Sequence, residues 1–166
     1  MHEIGFWRKY NDDAGDVRPH PQSLQDKAWY DRRADMAAKV IWYVRHAGFV
    51  ESYEMGYSFC RIDSSCSSKA LGACTMTDGM YCWPEGYVHY LEQHHVVPPA
   101  DFVEHVLQHV AAAVARPPTP FLVMWDYESR GPVPMPPTMQ HMILANTTLT
   151  IGQPQQAQQQ ASCALS

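Results

Sequence analysis

Hydrophobic positions in the first third of the chain change from a helical period to a strand period. Four apolar residues follow the i, i+3, i+4, i+7 spacing of an amphipathic helix: Ala37, Val40, Ile41 and Val44. Asp31 or Asp35 suits the first turn of this helix, and Gly48 suits a left-handed cap after it. From 49 to 59 bulky residues alternate with small or polar ones, which predicts one or two strands with Gly56 as a bulge. Residues 24–30 form either an earlier turn of the same helix or a separate short one.

The middle of the chain carries a hairpin signal followed by a helix signal. Asp78-Gly79 separates two short apolar runs, which predicts a two-residue turn with positive φ at both central positions. Cys82 and Trp83 are expected to face the core. Pro84 is expected at the first position of a helix, where its missing N–H costs nothing.

In the second half, a stripe of Val103, Val106, Leu107, Val110 and Val114 predicts a long helix that ends at "RPPTP". The apolar run at 121–127 predicts a buried strand, and 139–151, rich in β-forming residues, predicts another. The segment 129–137 between them is too rich in proline for regular structure, so we expect a linker there.

These elements predict a single small α+β domain with short antiparallel strands, a hairpin and about three helices. The domain is expected to span 23–151. It is flanked by an irregular extended arm at 1–22 and by a disordered glutamine-rich tail at 152–166. With 166 residues, one domain with tails is the default expectation.

Composition narrows the functional classes. A net charge of −5 without any Lys/Arg run gives no footprint for nucleic acid or for an anionic membrane surface. No apolar run has the length of a membrane span, and no hydrophobic signal core is present at the N-terminus, which favours a cytoplasmic location. In that reducing compartment, the five cysteines are expected to be free thiols or metal ligands.

Cys60, Cys66, His89 and His94 are the candidate metal ligands, because thiolates and imidazoles are the donors that zinc prefers. Against zinc, the cysteines are six residues apart, a longer spacing than usual. The two histidines are also five apart, and on a regular helix they point about 140° away from each other. The alternative is that the cysteines are small buried hydrophobes and the histidines cap a helix. From this spacing we expect no metal, with zinc as the alternative.

The sequence supports a catalytic site less well than a metal site. Cys60 or Cys82 could act as a nucleophile with His89 or His94 as its base, but no motif selects one of them. Glu85 could act as a general acid or base together with Asp78. However, a turn residue explains Asp78, and a carboxylate in the first turn of a helix explains Glu85.

His105 and His109 share one helix face at i, i+4, the right spacing for two metal ligands. No glutamate base of the HExxH kind lies between them. We expect both histidines on a solvated polar face.

Three segments in order, "GYSFCR" at 56–61, "TDGMYCWPEGYVHYLEQHHV" at 77–96 and "PADFVEHV" at 99–106, resemble a family of small uncharacterised bacterial proteins. The pattern covers about a third of the chain, and W-P-E-G-x-x-H-Y is its most specific part. The resemblance implies a shared fold and no particular reaction. It also implies a second cysteine three positions after Cys60, where this chain has Asp63, and this difference argues against a metal here.

The sequence therefore favours a non-catalytic structural or protein-interaction module that is a subunit of a larger assembly, such as a large complex or a cytoskeletal structure. Phe6, Trp7 and Tyr10 in the N-terminal arm are the expected partner-binding residues, because aromatic side chains in a polar segment gain most from burial. The alternative is a small metal- or thiol-dependent enzyme that uses Cys60, His89 and His94.

Overall fold

A computed structural model describes residues 1–8, 15–116 and 122–146 of the chain. The described residues form five α-helices: α1 (Lys27–Arg32), α2 (Ala34–His46), α3 (Tyr87–His94), α4 (Ala100–Ala115) and α5 (Pro137–Asn146). They also form six strands: β1 (His2–Glu3), β2 (Phe49–Tyr53), β3 (Cys74–Thr77), β4 (Tyr81–Pro84), β5 (Val123–Asp126) and β6 (Gly131–Pro134). Two short 3₁₀ turns lie at Pro21–Leu24 and Ser68–Leu71.

The strands form one mixed sheet in the order β1-β4-β3-β2-β5-β6. β1 is parallel to β4 and β2 is parallel to β5, whereas the other neighbours are antiparallel. This architecture confirms a single small α+β domain. It has more helices than the three expected: α1 is the separate short helix that was one of the two alternatives for 24–30, and α5 replaces an expected strand.

The main core lies between the sheet and helices α2, α3 and α4. Val50, Met76 and Trp83 sit at paired positions on three adjacent strands, and all three are buried. Val40 and Val44 of α2 and Phe102 and Val106 of α4 belong to the same buried cluster. The helical stripes in the sequence therefore identify the correct faces of α2 and α4, except that Leu107 is 42% exposed.

Gly48 does not have the left-handed conformation predicted for it. The cap of α2 is Ala47, which is right-handed, and Gly48 is not among the residues with positive φ. A Cβ atom at position 48 would lie 2.8 Å from the ring of Trp83. Glycine is thus suited to this position because the indole packs directly against the backbone.

The predicted strand region 49–59 is shorter in the structure. β2 ends at Tyr53, and residues 54–67 contain neither helix nor strand; we call them the 54–67 loop. Gly56 lies in this loop and not at a bulge. The irregularity falls instead between Val50 and Ser52, where the β2–β3 register shifts.

The Asp78-Gly79 hairpin is confirmed, with a different turn. Only Gly79 has positive φ, at +95°, so the turn is not the one with two positive φ values. The Asp78 carboxylate instead accepts hydrogen bonds from the backbone N–H groups of Met80 (2.9 Å) and Tyr81 (2.7 Å). The aspartate side chain therefore stabilises the turn itself.

We expect Gly79→Val to destabilise the fold by more than ~1 kcal/mol. Valine disfavours the positive φ of this position, and its Cβ would lie 2.5 Å from Cη2 of Trp125. Thermal unfolding followed by circular dichroism measures the effect. Gly56→Val is the matched control, because no atom lies within 4 Å of a Cβ there. Equal melting temperatures for the two variants would contradict the placement of the turn.

Pro84 does not begin a helix, contrary to expectation. It is the last residue of β4, paired with Thr75, and α3 begins at Tyr87 with Gly86 as its N-cap. Glu85 N–H donates to the Cys74 carbonyl (2.8 Å), so the sheet continues past the proline. Cys82 and Trp83 are buried, as predicted.

The C-terminal third differs most from expectation. The strand predicted at 121–127 is present as β5. The supposed linker contains β6, with Pro132 and Pro134, and the supposed strand at 139–151 begins as helix α5. Pro137 suits the first position of that helix, and Ile143 is buried against the main core. The predicted tail at 152–166 lies outside the described residues.

The first eight residues pack against the domain more closely than is expected for an irregular arm. β1 pairs with β4, and Ile4 is buried in the main core. The ring of Trp7 lies 5.9 Å from that of Tyr87 and 5.5 Å from that of Tyr90. Trp7 therefore packs on its own domain, whereas Tyr10 lies outside the described residues.

None of the helices among the described residues is long and apolar enough to cross a bilayer.

Candidate metal centre

The side chains of Cys60, Cys66, His89 and His94 converge on one point. One donor atom from each residue lies within 4.8 Å of every other. The Cys60 and Cys66 sulfurs lie 3.2 and 3.6 Å from Nε2 of His94, and Nε2 of His89 lies 3.1 Å from the same nitrogen. The expected divergence of the two histidines is therefore wrong.

The end of α3 explains why histidines five residues apart converge. His95, just after the helix, is left-handed with φ of 52°, and its N–H donates to the Tyr90 carbonyl five residues earlier. The Val96 N–H donates to the same carbonyl at 3.1 Å. A turn closed by an i→i+5 bond is wider than a regular α-turn, and residues i and i+5 then lie nearer the same face. The widened last turn thus places both imidazoles on one side of α3.

A turn in the 54–67 loop brings the second cysteine back to the first. Asp63 N–H lies 3.5 Å from Sγ of Cys60, and the Cys66 N–H donates to the Asp63 carbonyl at 3.3 Å. The Asp63 carboxylate accepts from Ser65 N–H at 2.8 Å. Asp63, which the resemblance would replace with a cysteine, therefore shapes a longer turn that returns the chain at Cys66.

The surroundings of His94 are difficult to explain by hydrogen bonding alone. Its Nε2 atom lies near three possible partners: a second imidazole nitrogen and two sulfurs. A neutral ring nitrogen carries either one hydrogen or one lone pair, so it serves one of these partners well. A cation at the centre of the four donors would satisfy all of them at once.

The three distances from His94 Nε2 also fit a tetrahedral zinc ion. With Zn–S near 2.3 Å and Zn–N near 2.0–2.1 Å, tetrahedral geometry separates two nitrogens by about 3.3 Å and a nitrogen from a sulfur by about 3.6 Å. The observed separations are 3.1 Å for the two nitrogens and 3.2 and 3.6 Å for nitrogen and sulfur. Two sulfurs and two imidazole nitrogens are one of the donor sets of structural zinc sites.

The electrostatics of the four side chains suit a divalent cation. Burial lowers the pKa of His89, assisted by the neighbouring His94, and burial also lowers the pKa of His94. Both rings therefore keep a lone pair at neutral pH. Burial raises the pKa of the Cys66 thiol, and the nearby Cys60 raises it further, because two adjacent thiolates repel each other. A cation would remove that penalty.

The site lies beside a second, smaller apolar cluster, which we call the minor core. Leu71, Tyr90 and Val96 form its buried centre. Trp7, Leu24, Cys60 and Ile62 pack around them. The hydroxyl of Tyr90 accepts from Arg61 N–H at 2.9 Å, which fixes the 54–67 loop to α3. The four donors and the minor core thus hold the same loop.

The remaining catalytic candidates are not part of this site. Cys82 is buried, and burial raises the pKa of its thiol, which disfavours a nucleophilic thiolate. Glu85 is not the first-turn carboxylate that was predicted. It is 7% exposed, and its Oε2 accepts from the N–H groups of Ala73 (3.0 Å) and Cys74 (3.3 Å). Its carboxylate therefore supports the start of β3.

We expect Glu85→Ala to destabilise the fold by ~2–4 kcal/mol, because it leaves two buried backbone donors at the start of β3 without their acceptor. Urea unfolding measures the loss, and Glu85→Gln should retain part of the stability since its amide oxygen can still accept. If the alanine variant were as stable as the glutamine variant, the carboxylate would not be supporting β3.

A second polar cluster lies elsewhere. The predicted solvated face is wrong for His105 and right for His109, which is exposed. His105 is 8% exposed and not on a solvated face. Its Nε2 lies 2.7 Å from Oδ2 of Asp78, which also accepts from the Tyr43 hydroxyl at 2.9 Å. Burial, followed by the Asp78 charge, raises the pKa of Tyr43. His105 lies three residues after Phe102 and directly before Val106, on the apolar stripe of the helix. From this spacing its burial could have been predicted.

No protein-family model, no curated protein and no solved structure matches this chain. The geometry of the four donors therefore has to support any functional conclusion by itself.

Proposed function

We propose that this protein is a non-catalytic structural module in which Cys60, Cys66, His89 and His94 hold one zinc ion. The observation that supports the proposal is the placement of His94 Nε2 within 3.6 Å of all three other donors, which exceeds what one ring nitrogen can satisfy by hydrogen bonds. The ion would fasten the 54–67 loop to the end of α3.

The number of donors favours a structural role over a catalytic one. Catalytic zinc sites use three protein ligands and keep the fourth position for water or substrate. Four donors within 4.8 Å of one another would occupy all four positions of a tetrahedral ion. Two thiolates also balance the charge of Zn²⁺, so the centre is neutral overall. A metal-dependent enzyme built on Cys60, His89 and His94 would need Cys66 to move away.

The zinc would act on a part of the domain that has little regular structure of its own. The 54–67 loop has neither helix nor strand to order it. It contacts the domain through Cys60 and Ile62 of the minor core and through the Tyr90 hydroxyl. Because Trp7 packs against the same cluster, an ordered loop also supports the N-terminal segment. We propose that a protein partner recognises this ordered surface together with Phe6, the neighbour of Trp7 in the chain.

The decisive experiment compares two adjacent histidines. We expect purified protein to contain one equivalent of zinc by elemental analysis, and His94→Asn to contain none. His95→Asn is the matched control, because His95 lies outside the cluster and asparagine tolerates its left-handed conformation. Zinc in neither the parent nor the control, even after incubation with zinc during refolding, would refute the proposal.

The His94→Asn and His95→Asn proteins should both remain folded by circular dichroism.

A metal-dependent enzyme would give a different zinc coordination. If the parent held zinc and its coordination, measured by X-ray absorption, included an oxygen in place of one sulfur, the site would be open and the alternative function would be favoured.

A further inference from the structure

The two cysteines of the proposed zinc site differ from the other described cysteines in their accessibility. Cys60 and Cys66 are half-buried, whereas Cys74 and Cys82 are 4% and 7% exposed. Ser64 and Ser65, between the pair, are exposed, and so is Phe59 before it. A small oxidant in solvent therefore meets Cys60 and Cys66 before it meets the buried thiols.

The two sulfurs are also close enough to join. They lie within 4.8 Å of each other, and a disulfide needs about 2.05 Å, so a movement of at most about 3 Å closes the gap. Both cysteines lie in the 54–67 loop, and the segment between them has no ladder or helix bonds to break. The turn at Asp63 already folds the chain back so that Cys66 faces Cys60.

We propose that Cys60 and Cys66 form a peroxide-sensitive redox pair, whose oxidation to a disulfide expels the zinc ion. This inference rests on the proposed function, since it describes the regulation of the same site. Its consequence is that the 54–67 loop and the minor core are ordered under reducing conditions and loosened under oxidising ones.

The chemistry balances with hydrogen peroxide as the named oxidant. The Cys60 thiolate attacks one oxygen of the peroxide, the O–O bond breaks, hydroxide leaves, and Cys60 becomes a sulfenic acid. The Cys66 thiolate then attacks the Cys60 sulfur, the S–S bond forms, and a second hydroxide leaves. Two thiolates are oxidised by two electrons, and one peroxide is reduced to two hydroxide ions. Zn²⁺ keeps only two imidazole donors and dissociates.

The test uses the full-length, zinc-loaded protein treated with hydrogen peroxide. Zinc release is followed with a colorimetric chelator, and disulfides are mapped by mass spectrometry without reduction. We expect complete loss of the zinc together with a Cys60–Cys66 disulfide, and recovery of zinc binding after dithiothreitol and added zinc. Cys82→Ser is the control and should release zinc at the same rate as the parent.

The two proposals fail in different ways. Protein that never binds zinc refutes the structural zinc site, and the disulfide map of that same protein still decides whether Cys60 and Cys66 are a redox pair. Zinc that stays bound under peroxide overturns the redox proposal alone. So does zinc loss with Cys60 and Cys66 unlinked. In Cys66→Ser the proposed resolving thiol is removed, and we expect dimedone to trap a sulfenic acid at Cys60; failure of this trapping would also count against the proposed order of attack.

Discussion

Stripping the metal from the purified protein should lower its melting temperature by about 5–10 °C when free zinc had been about 100-fold above its dissociation constant. The metal binds the folded arrangement of Cys60, Cys66, His89 and His94 and not the unfolded chain, so its binding free energy adds to stability. Differential scanning calorimetry before and after dialysis against a chelator measures the shift, and added zinc should reverse it.

The control for this experiment is the His94→Asn variant, which should melt at the same temperature with and without chelator.

Removal of the metal is expected to loosen only a local part of the chain. Amide exchange should accelerate in the 54–67 loop and around Tyr90, while α2 and α4 keep their protection because the main core does not depend on the site. Superimposable melting curves of the parent with and without chelator would show that no metal stabilises it.

Acid should remove the same stabilisation. Since burial lowers the pKa of His89 and His94 from 6.5, both rings remain neutral until the pH falls below that value. The imidazoles therefore keep their share of the zinc contribution above pH 6.5 and lose it as further acidification protonates them. A titration of zinc retention against pH should show this loss below 6.5.

Asp78→Ala should be among the most damaging single substitutions, at ~3–5 kcal/mol. Its carboxylate lies against His105 and Tyr43 on one side and accepts from two backbone N–H groups of the hairpin on the other. The side chains of Asp78 and His105 are only 8% and 9% exposed. The alanine variant thus leaves a buried imidazole, a hydroxyl and two turn donors without their acceptor.

Urea unfolding measures this loss. Asp101→Ala is the matched control, because that carboxylate also accepts from a tyrosine hydroxyl, that of Tyr81 at 3.2 Å, but Asp101 is exposed. We expect a change of about 0.5 kcal/mol or less there. If both alanine variants lost the same small amount, the buried Asp78–His105 contact would contribute little to the fold.

The elements that the sequence predicts well are those whose signal is local. The stripe of Val40 and Val44 identifies the buried face of α2, and Asp78-Gly79 identifies the hairpin, because a few neighbouring residues decide each outcome. α5 was predicted as a strand since the β-forming residues of its sequence outweighed Pro137. In the structure Ile143 is buried in the main core, and such a tertiary contact is not visible in local propensity.

The four candidate ligands were identified from the residue types, but their convergence was not. The 140° argument assumed a regular helix, and the left-handed His95 widens the last turn of α3 instead. Similarly, the long Cys60–Cys66 spacing was counted against a shared site, although a turn at Asp63 closes it. Both features depend on backbone geometry at single positions, which periodicity does not describe.

The prolines of β6 have a consequence for how this protein can assemble. Val133 pairs with Met124, and Met135 N–H donates to the Leu122 carbonyl, so the odd-numbered residues point their N–H groups toward β5. The alternate positions, which would point theirs outward, are Pro132 and Pro134. An incoming strand would find carbonyl oxygens on this border and no donors. A strand of a partner protein therefore cannot extend the sheet by pairing with β6. A partner that binds at this edge has to be recognised through side chains.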